Sequence, residues 1–573
     1  MKTRTTICQI CFCLLIASAC SDDKGAPKTT DTPSDAPATE KPWFVDQVNE
    51  SGVDFIHQSG QSGKFYIPEI MAGGAALFDM DADGDLDLYL IQSGDVNNAT
   101  IENPPNQLYK NDGTGKFTNA TAGSGADNQG YGIGAATGDY DNDGDIDLYV
   151  TNVGANALLQ NDGQGQFTDV TAAAGINDDD YSASASFFDA DSDGDLDLYV
   201  CNYLYWSPQT ELECKNSLSK PDYCAPIAYR APASDRLYIN QGNGTFIDAS
   251  EPSGIAAIPG TALGVVASDF SGDGKPDLFV ANDGMPDRLW INQGNNTFKD
   301  EALLSGTAMD MSGKAKAGMG VTTDDIDHDG DQDVMVCNLW RETDSLFINN
   351  GSGGFRDATT RSGLAATPKT FTRFGLGLAD FDNDGTLDLY QANGRVAQLA
   401  RRWGEDPYGE PNLLFKGSSN AGGIRFEEVT PRGGADDTPA LTSRGAAFGD
   451  LDNDGRLDVI VVNRDAAPHV LMNIQQDTGN WAMIRAIDRH GRDAIGAQIM
   501  TKAGDKTWTQ IVRTDGSYCT ANDPRVHIGL GKASTIDDIT ITWPTGQTQT
   551  FGPQPINQMI ELREDSTPDL PEK

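Results

Sequence analysis

The sequence predicts an all-β protein, a seven-bladed β-propeller followed by a smaller β-rich domain. Three observations predict it. An acidic, glycine-bearing segment of one pattern recurs seven times. A turn signal between apolar runs follows most copies. The 573 residues include 63 Gly and 27 Pro, so turns are dense, as many short strands require. Length alone would allow about four ordinary domains, but a repeat architecture absorbs most of the chain. Charge is the strongest compositional feature, with 41 Lys and Arg against 85 Asp and Glu, a net −44. That balance argues against nucleic acid as a partner, because phosphate binding needs a cationic footprint. It favours cations, basic surfaces or neutral ligands. The chain is 38% hydrophobic, so it can fill a core and is not an acidic disordered polymer.

The first element is an address. Lys2 and Arg4 precede an apolar stretch from Ile7 to Ala19, too short to span a membrane as a mature helix and of the length of a signal h-region. Residues 1–19 are therefore expected to be a lipoprotein signal peptide. Ala17-Ser18-Ala19-Cys20 resembles a bacterial lipobox, which makes Cys20 the expected lipidated residue. The Ser21 that follows implies the outer membrane or cell surface, with a periplasmic or secreted form as the alternative. Residues 20–42 are rich in Pro, Thr, Ser and Asp up to Pro42 and carry no large apolar residue, the composition of a disordered tether. The membrane is reached only through this lipid.

The repeat occupies residues 43–478. Its loops fit D-x-[DS]-x-D-G-x-x-D and begin at Asp79, Asp139, Asp189, Asp269, Asp325, Asp380 and Asp450, spaced 60, 50, 80, 56, 55 and 70 residues apart. Alternating apolar runs such as Leu86–Leu90 and Ile146–Val150 follow the loops, as half-buried strands require. The second marker reads Leu108-YKNDGTGKF, Leu158-LQNDGQGQF, Leu237-YINQGNGTF, Leu289-WINQGNNTF and Leu346-FINNGSGGF. Leu413-LFKGSSNAGGIRF is looser, and Val470–Asn473 is a truncated seventh. These are hairpin turns between strands. Small residues precede each loop, as in Gly132-Ile133-Gly134-Ala135 and Gly375-Leu376-Gly377-Leu378, and suit an inner strand at a crowded axis. Four strands repeated seven times is a propeller signature.

The loop chemistry is that of a hard cation. Calcium wants six to eight oxygens at about 2.3–2.6 Å. Positions 1, 3, 5 and 9 offer side chains, position 7 a main-chain oxygen, and the position-6 Gly permits the reversal. The candidate ligands at positions 1, 3, 5, 7 and 9 are Asp79, Asp81, Asp83, Asp85 and Asp87 in loop one. They are Asp139, Asp141, Asp143, Asp145 and Asp147 in loop two, and Asp189, Asp191, Asp193, Asp195 and Asp197 in loop three. Loop four has Asp269, Ser271, Asp273, Lys275 and Asp277; loop five has Asp325, Asp327, Asp329, Asp331 and Asp333. Loop six has Asp380, Asp382, Asp384, Thr386 and Asp388, and loop seven has Asp450, Asp452, Asp454, Arg456 and Asp458. The aspartates at position 7 are expected to leave their side chains in solvent. Positions 1, 3, 5 and 9 account for 27 of the 85 acidic residues, whose mutual repulsion bound metal would relieve. Up to seven structural calcium ions are expected. At tenfold excess each would contribute roughly 1.4 kcal/mol by mass action.

These units resemble FG-GAP/VCBS repeats, the type found in integrin α-subunit propellers, over about Phe44 to Asp477. Beyond Asn480 the acidic pattern stops. Asp515-Gly-Ser-Tyr518, Arg525-Val-His-Ile-Gly-Leu-Gly531 and Ile541-Thr-Trp-Pro-Thr-Gly546 resemble the ASPIC/UnbV domain, placed at 479–563 with a tail at 564–573. With Phe55-Ile-His57 and Ile67-Pro-Glu69 upstream, the whole is similar to a bacterial member of the cartilage acidic protein family. Arg395 stands where that family often has His after Asn-Gly. The resemblance implies calcium-binding repeats, export and surface or matrix association, without a settled activity.

Two insertions, Tyr203–Arg236 and Arg395–Pro411, could build a binding rim, the second through Arg401, Arg402 and Trp403, or could pack between blades. Cys214 and Cys224 are expected to pair, as an exported protein allows, with Cys201 and Cys337 as separate buried thiols. His328 sits at position 4 of loop five, a place expected to face outward. His527 reads as packed in a strand, and His57, His469 and His490 have no motif-spaced partner. No hydrolase, zinc-protease or dinucleotide motif is complete. The expected function is a non-enzymatic binding or adhesion lipoprotein recognising an extracellular protein or glycan. The alternatives are an exported polysaccharide lyase or hydrolase, or an accessory lipoprotein of an envelope complex.

Overall fold

The computed structural model describes residues 41–71, 73–97, 103–420, 423–476 and 478–565. The signal segment, Cys20 and nearly all of the tether lie outside the described residues. The rest is built almost wholly of β-strands, joined by turns and a few one-turn helices.

Seven sheets, each with four antiparallel strands from the repeat region, carry the seven acidic loops, and sheet one gains a short parallel fifth strand, Thr520–Ala521. Sheet one runs Ala75–Phe78, Asp87–Leu90, Gln107–Asn111 and Phe117–Asn119, and sheet two begins with Tyr131–Gly138. The first strands of sheets three to seven are Ser182–Phe188, Ala262–Ser268, Gly318–Asp324, Arg373–Ala379 and Ser443–Gly449. Each acidic loop joins the first strand of its sheet to the second, and each Asn-Gly turn joins the third to the fourth. Sheet seven takes its fourth strand from the other end of the repeat region: Phe44–Asp46 pairs antiparallel with His469–Asn473. His469 Nδ1 and Asp46 Oδ2 fix that junction at 2.6 Å. This explains why the seventh turn marker stops at Asn473, since no further strand follows it locally.

The first strand of each sheet packs against that of the next, and that of sheet seven packs against that of sheet one. Apolar clusters fill the boundaries. Leu77, Leu88, Val470 and Met472 lie between sheets one and seven, and Phe78, Leu148, Val150 and Phe167 between sheets one and two.

Residues 480–563 fold as two further sheets. Asn480–Ile487 is flanked by Val526–Gly531 and Met559–Arg563, and Gln498–Ala503 is the second strand of a four-stranded sheet. They share a core of Ile484, Ile499, Ile528, Ile541, Trp508 and Trp543. This domain is not a separate appendage. Its loop Thr514–Thr520 runs along the first strands of all seven sheets. Thr520 lies beside Ala75 in parallel pairing, and Thr514 Oγ1 donates to Thr137 O at 2.9 Å. Ser184 Oγ accepts from Cys519 N at 2.9 Å. Asp515 Oδ2 accepts from Ala267 N at 2.8 Å. Ser517 pairs by backbone with Val321, and its hydroxyl joins Leu376 N and Ala446 O. The small residues of the inner strands make room for this loop: a Cβ on Gly134 would lie 2.8 Å from Cys519 Cβ. Sequence reasoning identified the crowding at the first strands but not the loop that causes it.

The insertions pack against each other. Cys214 and Cys224 form a disulfide with an S–S distance of 2.06 Å. Asp222 beside it accepts from Tyr408 Oη at 2.8 Å and from Gln398 N at 2.7 Å, both in the second insertion. Arg395 and Glu410 pair at 2.8 Å with both side chains buried, and the Arg401 guanidinium stacks 3.9 Å over Trp403. The two segments thus pack against each other, while Arg401 and Arg402 stay exposed. Cys201, Cys337 and Cys519 are buried free thiols.

Candidate metal centres

The seven loops share one hydrogen-bond scheme. The position-1 carboxylate accepts from the amides of positions 5 and 6: Asp79 takes Asp83 N at 3.1 Å and Gly84 N at 3.0 Å. Asp139, Asp189, Asp269, Asp325, Asp380 and Asp450 do the same. The position-5 carboxylate accepts from the amide of position 7, as Asp143 does from Asp145 N at 3.0 Å. Gly84, with φ +93°, makes the reversal that brings these amides inward. Position 4 is also left-handed: Asn142 has φ +63° and His328 +60°.

Position 9 begins the second strand and ties the loop to its own turn. Asp87 accepts from Met80 N at 3.0 Å and Asn111 N at 2.8 Å. Asp147, Asp197, Asp277, Asp333, Asp388 and Asp458 hold the same place.

Ligand atoms of positions 1, 3 and 9 lie within 4.8 Å of one another in loops one, two, three and six; in loop five those of Asp325, Asp327 and Asp329 do. Position 3 carries the sharpest test of fit. Oδ1 of Asp81, Asp141, Asp191, Asp327, Asp382 and Asp452 is buried with no hydrogen-bond partner. These are all six position-3 aspartates. A buried carboxylate oxygen without a partner is costly, and six at one register mark a place for a cation. Loop four has Ser271 at that position, and its Lys275 pairs with Asp273.

Electrostatics agree. Burial, reinforced by neighbouring carboxylates, pushes Asp139 up to about 6, Asp87 to about 7, Asp333 to about 8 and Asp197 to about 9. The donors are all hard oxygens, the set that suits calcium. In loops one and six an ammonium sits at the edge of the cluster: Lys110 contacts Asp81 and Asp83, and Lys416 contacts Asp382 and Asp384.

Two expectations are corrected. Two of the four position-7 aspartates are tied to a neighbouring loop and not simply solvated: Asp85 Oδ1 accepts from Asn453 Nδ2 at 2.7 Å and Asp195 Oδ1 from Asn142 Nδ2 at 2.6 Å. Both bonds join position 4 of one sheet's loop to position 7 of the next. His328 does not face outward. It is half-buried beside the C-terminal domain, and desolvation and Lys506 lower its pKa. His527 is packed, with Nε2 3.1 Å from Gly455 O.

The marker Asn carries a role that sequence reasoning missed. Its side chain bridges sheets: Asn161 Nδ2 donates to Ile146 O in its own loop and to Met80 O in loop one. Asn111, Asn240, Asn292, Asn349 and Asn473 reach Leu451, Tyr140, Ala190, Phe270 and Phe381 in the preceding loop. The signal was available, since Asn holds its register while the next residue changes among Asp, Gln and Asn.

Comparison with known proteins matches this architecture. The FG-GAP-like repeat model matches residues 79–150, 139–200, 221–280, 269–336 and 325–390. The ASPIC and UnbV model matches 488–569. Cartilage acidic protein 1 of Xenopus tropicalis is 26% identical over 319 residues, covering 52% of this chain and 44% of that protein. The Homo sapiens protein is 24% identical over 368 residues, covering 59% and 51%. The matched region thus spans about half the length of these relatives. Among solved structures, an Agrocybe aegerita lectin described as recognising non-reducing terminal N-acetylglucosamine is 15% identical with a TM-score of 0.35, covering 62% of this chain and 79% of its own. The NanB sialidase of Streptococcus pneumoniae is 11% identical with a TM-score of 0.36, covering 74% and 71%. The repeat model alone covers just over half of the chain, and with the C-terminal match it places the protein: this chain belongs to the FG-GAP-like repeat proteins with a C-terminal ASPIC/UnbV domain and is homologous to the cartilage acidic protein family.

Proposed function

We propose that this chain is an exported, calcium-stabilised binding module built on a closed seven-bladed propeller. It recognises a protein or a glycan at the bacterial cell surface, where a lipid on Cys20 tethers it. Closure is supported by the loop Thr514–Thr520, since seven residues can reach seven first strands only from the axis of a ring.

The observation that carries the function is the position of the acidic loops. Each is tied at position 9 to its own turn, and six of the seven turns are tied by Asn to the loop of the preceding sheet. An ion in such a loop stiffens a boundary between sheets. It serves as a structural ion that holds a rigid scaffold for recognition. Six loops offer the full carboxylate set, and calcium is assigned to those six. Loop four is left without it, because Ser271 replaces the position-3 carboxylate there. No catalytic role is assigned to any residue, and the net charge of −44 disfavours nucleic acid.

Calcium-dependent capture tests the reading. The immobilised full chain is incubated with envelope proteins and polysaccharides, with calcium or with chelator, and retained and unretained fractions are analysed by mass spectrometry. Retention of an intact molecule only with calcium is expected. Cleavage products in the unretained pool, absent without the protein, would overturn it in favour of an exported hydrolase or lyase. Anchoring is tested separately: Cys20→Ser should move the chain from the membrane to the soluble fraction.

A further inference from the structure

A cleft of about 410 Å³ lies where sheets three and four meet the C-terminal domain. That is within the range of small-ligand pockets, roughly 300–1,000 Å³. Its apolar lining includes Phe187, Ile495 and Trp543, all buried. The Trp543 indole is fixed by a 3.2 Å hydrogen bond to Gln549 Oε1. Into these walls are set Ser268, Arg513 and Asp515. Ser268 is 4% exposed and Asp515 7%. Ser268 Oγ, Arg513 Nη1 and Asp515 Oδ1 are each buried without a hydrogen-bond partner. Arg513 Nη1 and Asp515 Oδ1 have only each other, as an ion pair at 3.6 Å without a hydrogen bond, and Ser268 Oγ has no partner at all; a ligand with both donors and acceptors could complete all three.

We propose that this cleft is a subsite for one neutral sugar ring. Arg513 Nη1 and Asp515 Oδ1 stand 3.6 Å apart. A hydroxyl placed over both can accept from the guanidinium and donate to the carboxylate. Ser268 Oγ can serve a neighbouring hydroxyl in either direction, and the apolar walls suit the C–H face of the ring. Charge argues for neutrality. An anion would meet Asp189, Asp269 and Asp515, and an ammonium would meet Arg513 and Lys275, which also line the cleft. The inference rests on the binding-module reading and gives it a place and a ligand class.

Ligand-observed saturation-transfer NMR on the calcium-loaded full chain tests it, with methyl hexopyranosides and N-acetylhexosamines as probes. At least one probe is expected to bind. Gln498→Trp, at a half-buried lining position, fills the cleft and should abolish that binding. Ser268→Ala should weaken it roughly three- to tenfold, the loss of one hydrogen bond. The same substitution should leave Tm unchanged or higher, because the hydroxyl it removes has no partner in the protein. A purely structural Ser268 would lower Tm instead. The proposal is overturned if no probe binds, or if binding survives Gln498→Trp and is indifferent to Ser268→Ala. Should the capture experiment retain a polysaccharide with affinity that neither substitution changes, the cleft assignment falls and the binding module stands.

Discussion

At the scale of single residues, the acidic loops show how one position can serve metal and fold separately. Asp141 stands at position 3 with one oxygen on Gln160 and the other buried and orphaned. It makes no backbone bond to the rest of its sheet, whereas Asp147 holds two amides. Asp141→Asn should therefore remove one bound calcium, counted by native mass spectrometry, and lower stability in calcium by about 1–2 kcal/mol. In chelator it should be neutral or stabilising, because it removes one of several crowded charges. An equal loss with and without calcium would contradict the metal assignment. His57 gives the clearest pH dependence. It is buried, with Nε2 3.2 Å from Ser93 Oγ and Nδ1 facing Asp465 N. Desolvation lowers its pKa to about 4, with Arg464 and Arg444 adding to the effect and Asp465 opposing it. The unfolded chain binds a proton near pH 6.5, so between about 6.5 and 4 the unfolded state holds more protons. Stability is lost as pH falls through that window, by up to about 3 kcal/mol. Calcium-loaded His57→Gln should lose correspondingly less between pH 7 and 4.5, read from urea midpoints; parallel curves for the two proteins would remove His57 as the cause. The carboxylate clusters were legible in the sequence because their pattern is local to nine residues. The surroundings of His57 were not, because Ser93 and Asp465 lie 36 and 408 residues away.

At the scale of elements, the Asn-Gly hairpin does more than turn the chain. Asn161 binds its own position-9 carboxylate through its amide, and carbonyls of two sheets through its side chain. Asn161→Ala would strand two carbonyls at the boundary of sheets one and two. A loss of about 1–3 kcal/mol is expected in both calcium and chelator, measured by denaturant unfolding, and this separates it from Asp141→Asn. No loss in either condition would show that water replaces the bond at little cost. Sheet six reveals why its marker reads loosely. Gly417 takes the Asn register, its amide still meets Asp388 Oδ1 at 2.8 Å, and a Cβ there would fall 1.9 Å from Leu387 O. The strand runs too close to its neighbour for any side chain, so a departure in the motif records a close backbone approach. Strand order within each sheet was readable, because alternation and turn residues encode it locally. The fourth strand of sheet seven was not, since Phe44–Asp46 is separated from its partner by more than 400 residues.

At the scale of the molecule, the two family matches describe pieces that the fold does not keep apart. The loop Thr514–Thr520 gives the first strands of the repeat region hydrogen bonds that no other element supplies. Val321 N goes to Ser517 O, Ala135 N to Cys519 O, Ala267 N to Asp515 Oδ2 and Leu376 N to Ser517 Oγ. Tyr518 buries its ring against Phe374 at 4.9 Å between centroids and donates to Met71 O. Without this loop those amides and the glycine-lined backbone around them would lose their partners, each unpaired group costing about 1–3 kcal/mol if water did not reach it. The sequence placed the boundary at 479 because composition changes there, but composition does not record which loop of one domain packs along the first strands of another. Cooperativity follows from this geometry. The calcium-loaded full chain should unfold in one calorimetric transition, with the C-terminal domain melting together with the repeat region. A chain ending at Thr478 should melt at lower temperature and bind a hydrophobic dye at temperatures where the full chain does not. Gly134→Val should produce a milder version of the same defect, since its Cβ would press on Cys519. Two separate transitions in the full chain, with the repeat region melting as it does alone, would show that the loop lies along the first strands without supporting them.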